Sequence, residues 1–284
     1  MDLSALEGLH PSYDADRQLL TLELDHGKAN EMGTVQLDAF EALCTLIEED
    51  DSVRTLVTTS RRLSKKGKPI FIAGANVTER VDWDPDRVKA HVIRQRTLMV
   101  RLRHLPIFNI AIPSGVTLGW GTEYLLTADY TVATAAASFA LPETGLGILP
   151  GARGTAELAL LVGPAHAVRL CATGESIDAA EAARIGLVQE VVDDVDAGVA
   201  RARALATLVS RKSPTAIAAY KSAMLEGLGQ PETVRLDAER RAYELTVQVG
   251  DASTGRKHFA DIRQGKVPPW APRATRPAET KGEG

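Results

Sequence analysis

Glu123 and Glu143 stand twenty residues apart in a stretch that is otherwise largely apolar, and Gly115, Gly119 and Gly121 punctuate the turn just before the first of them. Carboxylates are costly to bury without partners, so two acids beside one tight turn ask for a chemical reason. Such a pair can carry protons to and from a substrate. A glycine turn can in addition aim backbone N–H groups at a carbonyl oxygen that gathers negative charge. Together these residues point to acid/base chemistry on a carbonyl compound. Taken singly, Glu123 also fits as an acid favoured by a helix N-terminus, and Glu143 as a solvated loop residue.

The surrounding sequence must supply a frame for them. A chain of 284 residues, 44% hydrophobic and 25% charged, has the composition of a globular protein of one or two domains. A net charge of −4 gives no general preference for nucleic acid or an anionic membrane. The two cysteines, Cys44 and Cys171, lie in apolar, helix-like contexts, which predicts buried structural thiols. With six scattered histidines and no metal-type spacing, a metal centre is not expected. The first residues lack a signal-peptide core, and no run approaches the roughly 18 apolar residues of a membrane span. The default expectation is a cytoplasmic protein.

Period-2 and period-3.6 patterns alternate through the first half of the chain. Residues 18–24 read as a strand, and Val35 to Glu49 as a helix through Leu37, Phe40, Leu43 and Ile47. Thr55 to Thr58 and Ile70 to Ile72 read as strands, with a basic loop from Arg61 to Lys68 between them. Residues 85–104 read as an amphipathic helix stopped by Pro106, Ile107 to Ile112 as a buried strand, Glu123 to Ala128 as a short helix and Tyr130 to Ala133 as a strand. From about residue 155 onward helices dominate, which predicts an α/β core followed by a helical region, with a boundary within 190–215. The aperiodic segment from Pro268 to Gly284 reads as disordered.

Several segments, in order, resemble the crotonase (enoyl-CoA hydratase/isomerase) superfamily. Ile70-Phe-Ile-Ala-Gly-Ala-Asn76 resembles its FxAGAD segment, and Gly115 to Asp129 its GxxLGGGxELALACD segment. Leu141-Pro-Glu143, Gly145-Leu-Gly147 and Pro150-Gly-Ala-Arg-Gly-Thr155 resemble PExxLGxxPGAGGT. The stretch from Thr173 to Val188 resembles TGxxIxAxEAxxxGLV. The resemblance implies an α/β spiral of ββα units over residues 1–200, a helical C-terminal trimerisation region over 201–267 and a tail over 268–284. It further implies acyl-CoA thioester substrates and a homotrimer or dimer of trimers. No separate cofactor is implied, since CoA enters as part of the substrate.

By the same resemblance the N–H groups of Ala75 and Trp120 would hold the thioester oxygen, with Glu123 activating water and Glu143 delivering a proton to the α-carbon. Lys28, Ala29, Ala73, Gly74, Asn76, Val77, Gly119, Gly151 and Arg153 would contact substrate. This sequence departs from the family pattern in three places. Trp120 replaces a glycine, which keeps the backbone donor but adds an indole that must either pack in the core or narrow the pocket. Arg153 also replaces a glycine; turned to the pocket it would favour a carboxylated or otherwise polar acyl group, and turned to solvent it would not. Asn76 stands in place of aspartate. The loop Arg61 to Lys68, with five positive charges in eight residues, is either a solvated face or an attractor of CoA phosphates, and Lys28 is a second candidate for that role. The leading expectation is a hydratase. Double-bond isomerisation, thioester hydrolysis and a non-catalytic CoA-binding role are the alternatives on the same scaffold.

Overall fold

The computed structural model describes residues 3–275. The chain enters as an antiparallel pair, β1 (Pro11–Asp14) and β2 (Leu19–Glu23), followed by α1 (Thr34–Glu49). From there the chain repeats one unit: a strand, a second strand and a helix. The first unit is β3 (Thr55–Thr59), β4 (Ile70–Ala73) and α2 (Pro85–His104). The second is β5 (Phe108–Ala111), β6 (Val116–Leu118) and α3 (Trp120–Leu125). The third is β7 (Tyr130–Thr134) and β8 (Ser138–Ala140), with two helices, α4 (Gly154–Val162) and α5 (Pro164–Thr173).

Within each unit the two strands go to different sheets. One sheet has the order β1-β2-β3-β5-β7 and is completed by β10 (Glu190–Val192). The other has the order β4-β6-β8 and is completed by β9 (Ile177–Asp178). Each unit therefore adds one parallel strand to both sheets, which is the ββα spiral expected from the sequence. Between β9 and β10 lies α6 (Ala179–Arg184), capped by the Asp178 carboxylate, which accepts from the Glu181 N–H at 2.8 Å.

The central strands of the larger sheet, β3, β5 and β7, are buried on both faces, and successive side chains sort into two layers. Leu56, Ala111 and Ala133 join the main core with Phe40, Leu43 and Ile47 of α1. Their chain neighbours Val57, Ile110 and Val132 face α7 (Val195–Val209), where Ala202 and Ala206 allow close approach. The expected boundary at residue 200 thus falls inside a helix that belongs to the sheet layer. Beyond it run α8 (Pro214–Gly227), α9 (Glu232–Gln248), α10 (Asp251–Lys257) and α11 (Phe259–Arg263).

The expectation of a disordered tail from Pro268 needs correction as far as Thr275. Trp270 donates its indole N–H to the Arg211 carbonyl at 3.0 Å, and the Ala271 N–H donates to Asp251 at 2.9 Å. Arg273 donates to the carbonyls of Val53 and Asp50, each at 3.0 Å, and also to that of Ile47. Composition gave no hint of this docking, because its partners lie from 20 to 226 residues away in the chain. Residues 276–284 of the expected tail lie outside those described.

Candidate active site

Three neighbouring parallel strands of the smaller sheet end side by side, and just past their C-terminal ends stand Ala75, Trp120 and Glu143, with Glu123 as the fourth central residue on the helix after β6. Ala73 of β4 is in register with Leu118 of β6, and Leu118 with Ala140 of β8. Two residues beyond the first pair stand Ala75 and Trp120; three beyond Ala140 stands Glu143. Parallel strands lie about 4.8 Å apart, so equivalent positions past their ends are close neighbours. All four central residues line one cavity of 730 Å³.

The Ala75 amide is left open by the way its turn is braced. Met32 donates its N–H to the Gly74 carbonyl at 2.9 Å and accepts from the Asn76 N–H at 2.8 Å. That parallel bridge uses the groups on either side of Ala75 and turns the Ala75 N–H the other way. Asn30 anchors the brace: its side-chain amide donates to the carbonyls of Leu24 and Phe71 and to Ser60, and its oxygen accepts from the His26 N–H. The Trp120 amide is open for another reason. As the first residue of α3 it has no carbonyl four residues back in the helix to receive it. Among the described residues neither amide has a protein acceptor.

Trp120 resolves the question its size posed. Its ring is buried, stacked on Tyr124 with centroids 5.6 Å apart and tilted against Phe40 at 6.2 Å. The indole therefore packs in the core, although its N–H finds no acceptor among the described residues. The helix starts at Trp120, three residues earlier than its pattern suggests, because Gly119 takes a backbone conformation (φ 49°, ψ −116°) that turns the chain sharply out of β6. A side chain at residue 119 would also collide with Glu143, whose Oε1 lies 2.5 Å from where a Cβ would stand.

Glu123 is 3% exposed and sits on the first turn of α3. Its Oε1 accepts from the Gly154 N–H at 2.7 Å, so the carboxyl caps the start of α4. Burial nevertheless pushes its pKa up to about 7, with the Glu143 charge adding to the rise and the amides of Gly154 and Ala152 and the nearby Arg96 opposing it. Glu143 follows Pro142 in a short 3₁₀ turn and is 9% exposed. Burial raises its pKa as well, against the pull of its own backbone N–H. Its Oε2 is buried and has no partner among the described residues, which leaves it free for a ligand. The arrangement offers two open amides, one clamped carboxyl and one unclamped carboxyl. Such a set can polarise a carbonyl and move protons on the adjacent carbons.

Of the expected contact residues, Ala73, Gly74, Val77, Gly119 and Gly151 line the cavity. Lys28, Ala29, Asn76 and Arg153 do not. Lys28 is exposed, its carbonyl taken by Arg62, and the Ala29 carbonyl accepts from Ala73. Asn76 bonds locally, accepting from the Thr78 hydroxyl at 2.7 Å. Arg153 turns to Glu157 one helical turn away and is largely buried in that ion pair, so it faces neither the cavity nor open solvent. In the basic loop, Arg61 pairs with Glu23 and Asp196, and Arg62 with Asp25, which leaves the exposed Lys65, Lys66 and Lys68 outside these ion pairs. Sequence reasoning did not single out Gly154, Arg80, Gln95 or Arg96. The last two belong to a face of α2, with Val88 and Val92, whose helical spacing was readable but whose polar members looked like surface. Among the described residues no group of acidic, histidine and cysteine side chains is arranged to hold a metal, and no helix is long and apolar enough to cross a membrane.

Comparison with known proteins agrees with this architecture. The Bacillus subtilis protein YngF is 35% identical over 237 residues, spanning 83% of this chain and 88% of its own. The Mus musculus enoyl-CoA hydratase domain-containing protein 2, mitochondrial, is 34% identical over 241 residues, spanning 84% of this chain and 79% of its own. The crystal structure of an enoyl-CoA hydratase from Bacillus anthracis superposes with a TM-score of 0.82 at 31% identity, covering 92% of this chain and 98% of that one. The family model for enoyl-CoA hydratase/isomerase matches residues 22–270. With strands, cavity and comparisons in accord, the chain belongs to the enoyl-CoA hydratase/isomerase family of the crotonase superfamily.

Proposed function

We propose that the protein is an enoyl-CoA hydratase that adds water across the double bond of a 2-enoyl-CoA thioester. The observation that carries this reading is the presence of two buried carboxyls, Glu123 and Glu143, in the cavity that holds the open amides of Ala75 and Trp120. Water attacks the β-carbon while the Glu123 carboxylate takes its proton. Negative charge moves to the thioester oxygen, where two N–H donors stabilise it more strongly than they did the neutral carbonyl. The protonated Glu143 then supplies hydrogen to the α-carbon. The clamp on Glu123 suits a group that orients water; the unpartnered Oε2 of Glu143 suits one that must reach a substrate carbon. A homotrimer or a dimer of trimers, implied by the sequence resemblance, goes with this proposal.

The asymmetry between the carboxyls also serves a second reading. One free acid beside two open amides is what a double-bond isomerase uses. Loss of enoyl absorbance from crotonyl-CoA separates the two. A hydratase turns it over, and Glu123→Gln and Glu143→Gln each lower kcat by about 100-fold or more. Silence with crotonyl-CoA but turnover of a 3-enoyl thioester would establish the isomerase instead. Binding of CoA without any turnover would make the chain a non-catalytic relative.

A further inference from the structure

The cavity contains hydrogen-bond donors with nothing to bond among the described residues. Arg80 lies on the 3₁₀ turn Thr78–Arg80, a few residues beyond Ala75, and lines the same cavity as Glu123 and Glu143. Its Nε and one Nη are buried and have no partner among the described residues. The neighbouring carboxylate, Glu79, does not pair with it. One Glu79 oxygen accepts from the Thr34 N–H at 3.1 Å and the other lies 3.7 Å from His91. Gln95, 4% exposed on α2, lines the same cavity and has an Nε2 that is likewise without an acceptor among the described residues. Arg96, the next residue on that helix, lines the cavity too; its Nε holds the Gly151 carbonyl at 3.2 Å.

Leaving a guanidinium buried and unpaired is costly, and so is leaving an amide N–H₂ without an acceptor. A purely hydrocarbon acyl chain would bury these groups further and offer them nothing. Val88 and Val92 line the same wall, so the space is not polar throughout; it is an apolar channel with donors set into it. Guanidinium is planar and forked, and a carboxylate is the small anion that matches it with two parallel bonds.

Resting on the hydratase reading for the orientation of the thioester, we infer that the acyl group carries a distal carboxylate received by Arg80 and Gln95. The substrate class is then a 2-enoyl-CoA derived from a dicarboxylic acid. Arg153, the sequence's candidate for this task, is already occupied by Glu157. A CoA phosphate is the other anion that could meet an arginine. The buried position of the Arg80 nitrogens, in a cavity shared with both catalytic carboxyls, favours the acyl carboxylate over a phosphate carried at the far end of the cofactor moiety.

The test compares 2-enoyl-CoA esters of five and six carbons that end in a carboxylate with methyl-ended esters of the same length. The wild type should favour the carboxylate-ended series in kcat/KM by about 10- to 100-fold, the effect of a charge-assisted hydrogen-bonded pair. Arg80→Met should abolish or reverse that preference, Arg80→Lys should retain part of it, and Gln95→Leu should weaken it. Continued turnover of the methyl-ended esters shows that each variant is folded. Equal rates on both series in the wild type would overturn the inference. So would a loss in Arg80→Met shared equally by all esters and by the affinity for free CoA, which would assign Arg80 to a phosphate. If no ester is hydrated, binding of glutaryl-CoA against valeryl-CoA by calorimetry decides. Tighter glutaryl-CoA binding that depends on Arg80 upholds the carboxylate site while the hydratase reading falls; equal binding removes both.

Discussion

In the proposed hydration Glu123 must be ionised to take a proton from water, yet its surroundings oppose ionisation. Its pKa in the folded chain, about 7, lies above the ordinary value of 4.5. The folded state therefore retains a proton that the unfolded state would release, and stability falls as pH rises from about 4.5 to about 7. The full cost, present above pH 7, is on the order of 3 kcal/mol. Glu123→Gln keeps an oxygen for the Gly154 N–H and removes the ionisation. In urea titrations it should be more stable than the wild type by about 2–3 kcal/mol at pH 8 and by less than about 1 kcal/mol at pH 5. A pH-independent difference would show that the carboxyl is not held against its charge. For the wild type the same pKa places the acid limb of the kcat/KM profile near pH 7, if Glu123 is the base.

At the scale of elements, the site is a property of strand ends. β4, β6 and β8 stop in register, and each delivers its residue within three positions of its last paired one. Much of this was legible: the motifs around Ala75, Trp120, Glu123 and Glu143 were readable, and the strands and helices that gave clear periods appear within a few residues of expectation. The short strands β6 and β8 were not read, because three residues carry too little alternation and their stability comes from neighbours on both sides. Nor could sequence show that Arg153 would be drawn to Glu157, since either rotamer direction was open. That residue stands just before α4, at its N-cap, with φ of 90°, a conformation that suits glycine. Arg153→Gly and Arg153→Ala both lose the ion pair, but only alanine keeps the strain. Arg153→Gly should therefore be the more stable of the two by about 1 kcal/mol in thermal denaturation. Equal melting points would mean that the turn carries no strain there.

Across the whole molecule, the last described residues hold the first helix. The half-buried guanidinium of Arg273 collects carbonyls from the end of α1 and the loop into β3, and desolvation lowers its pKa from the usual arginine value. Arg273→Ala leaves those carbonyls without a donor and should cost about 2 kcal/mol, with faster proteolysis beyond α11. Unchanged stability and unchanged proteolysis would show the contact to be incidental. A long-range clasp of this kind leaves no local trace in a sequence, which is why the region read as a tail. The clasp also has a bearing on synthesis. During translation the residues of the cavity, up to Ala152, leave the ribosome well before Arg273 is added. The emerging chain can thus assemble the turns around its cavity while α1 and the loop after it still lack their final fastening.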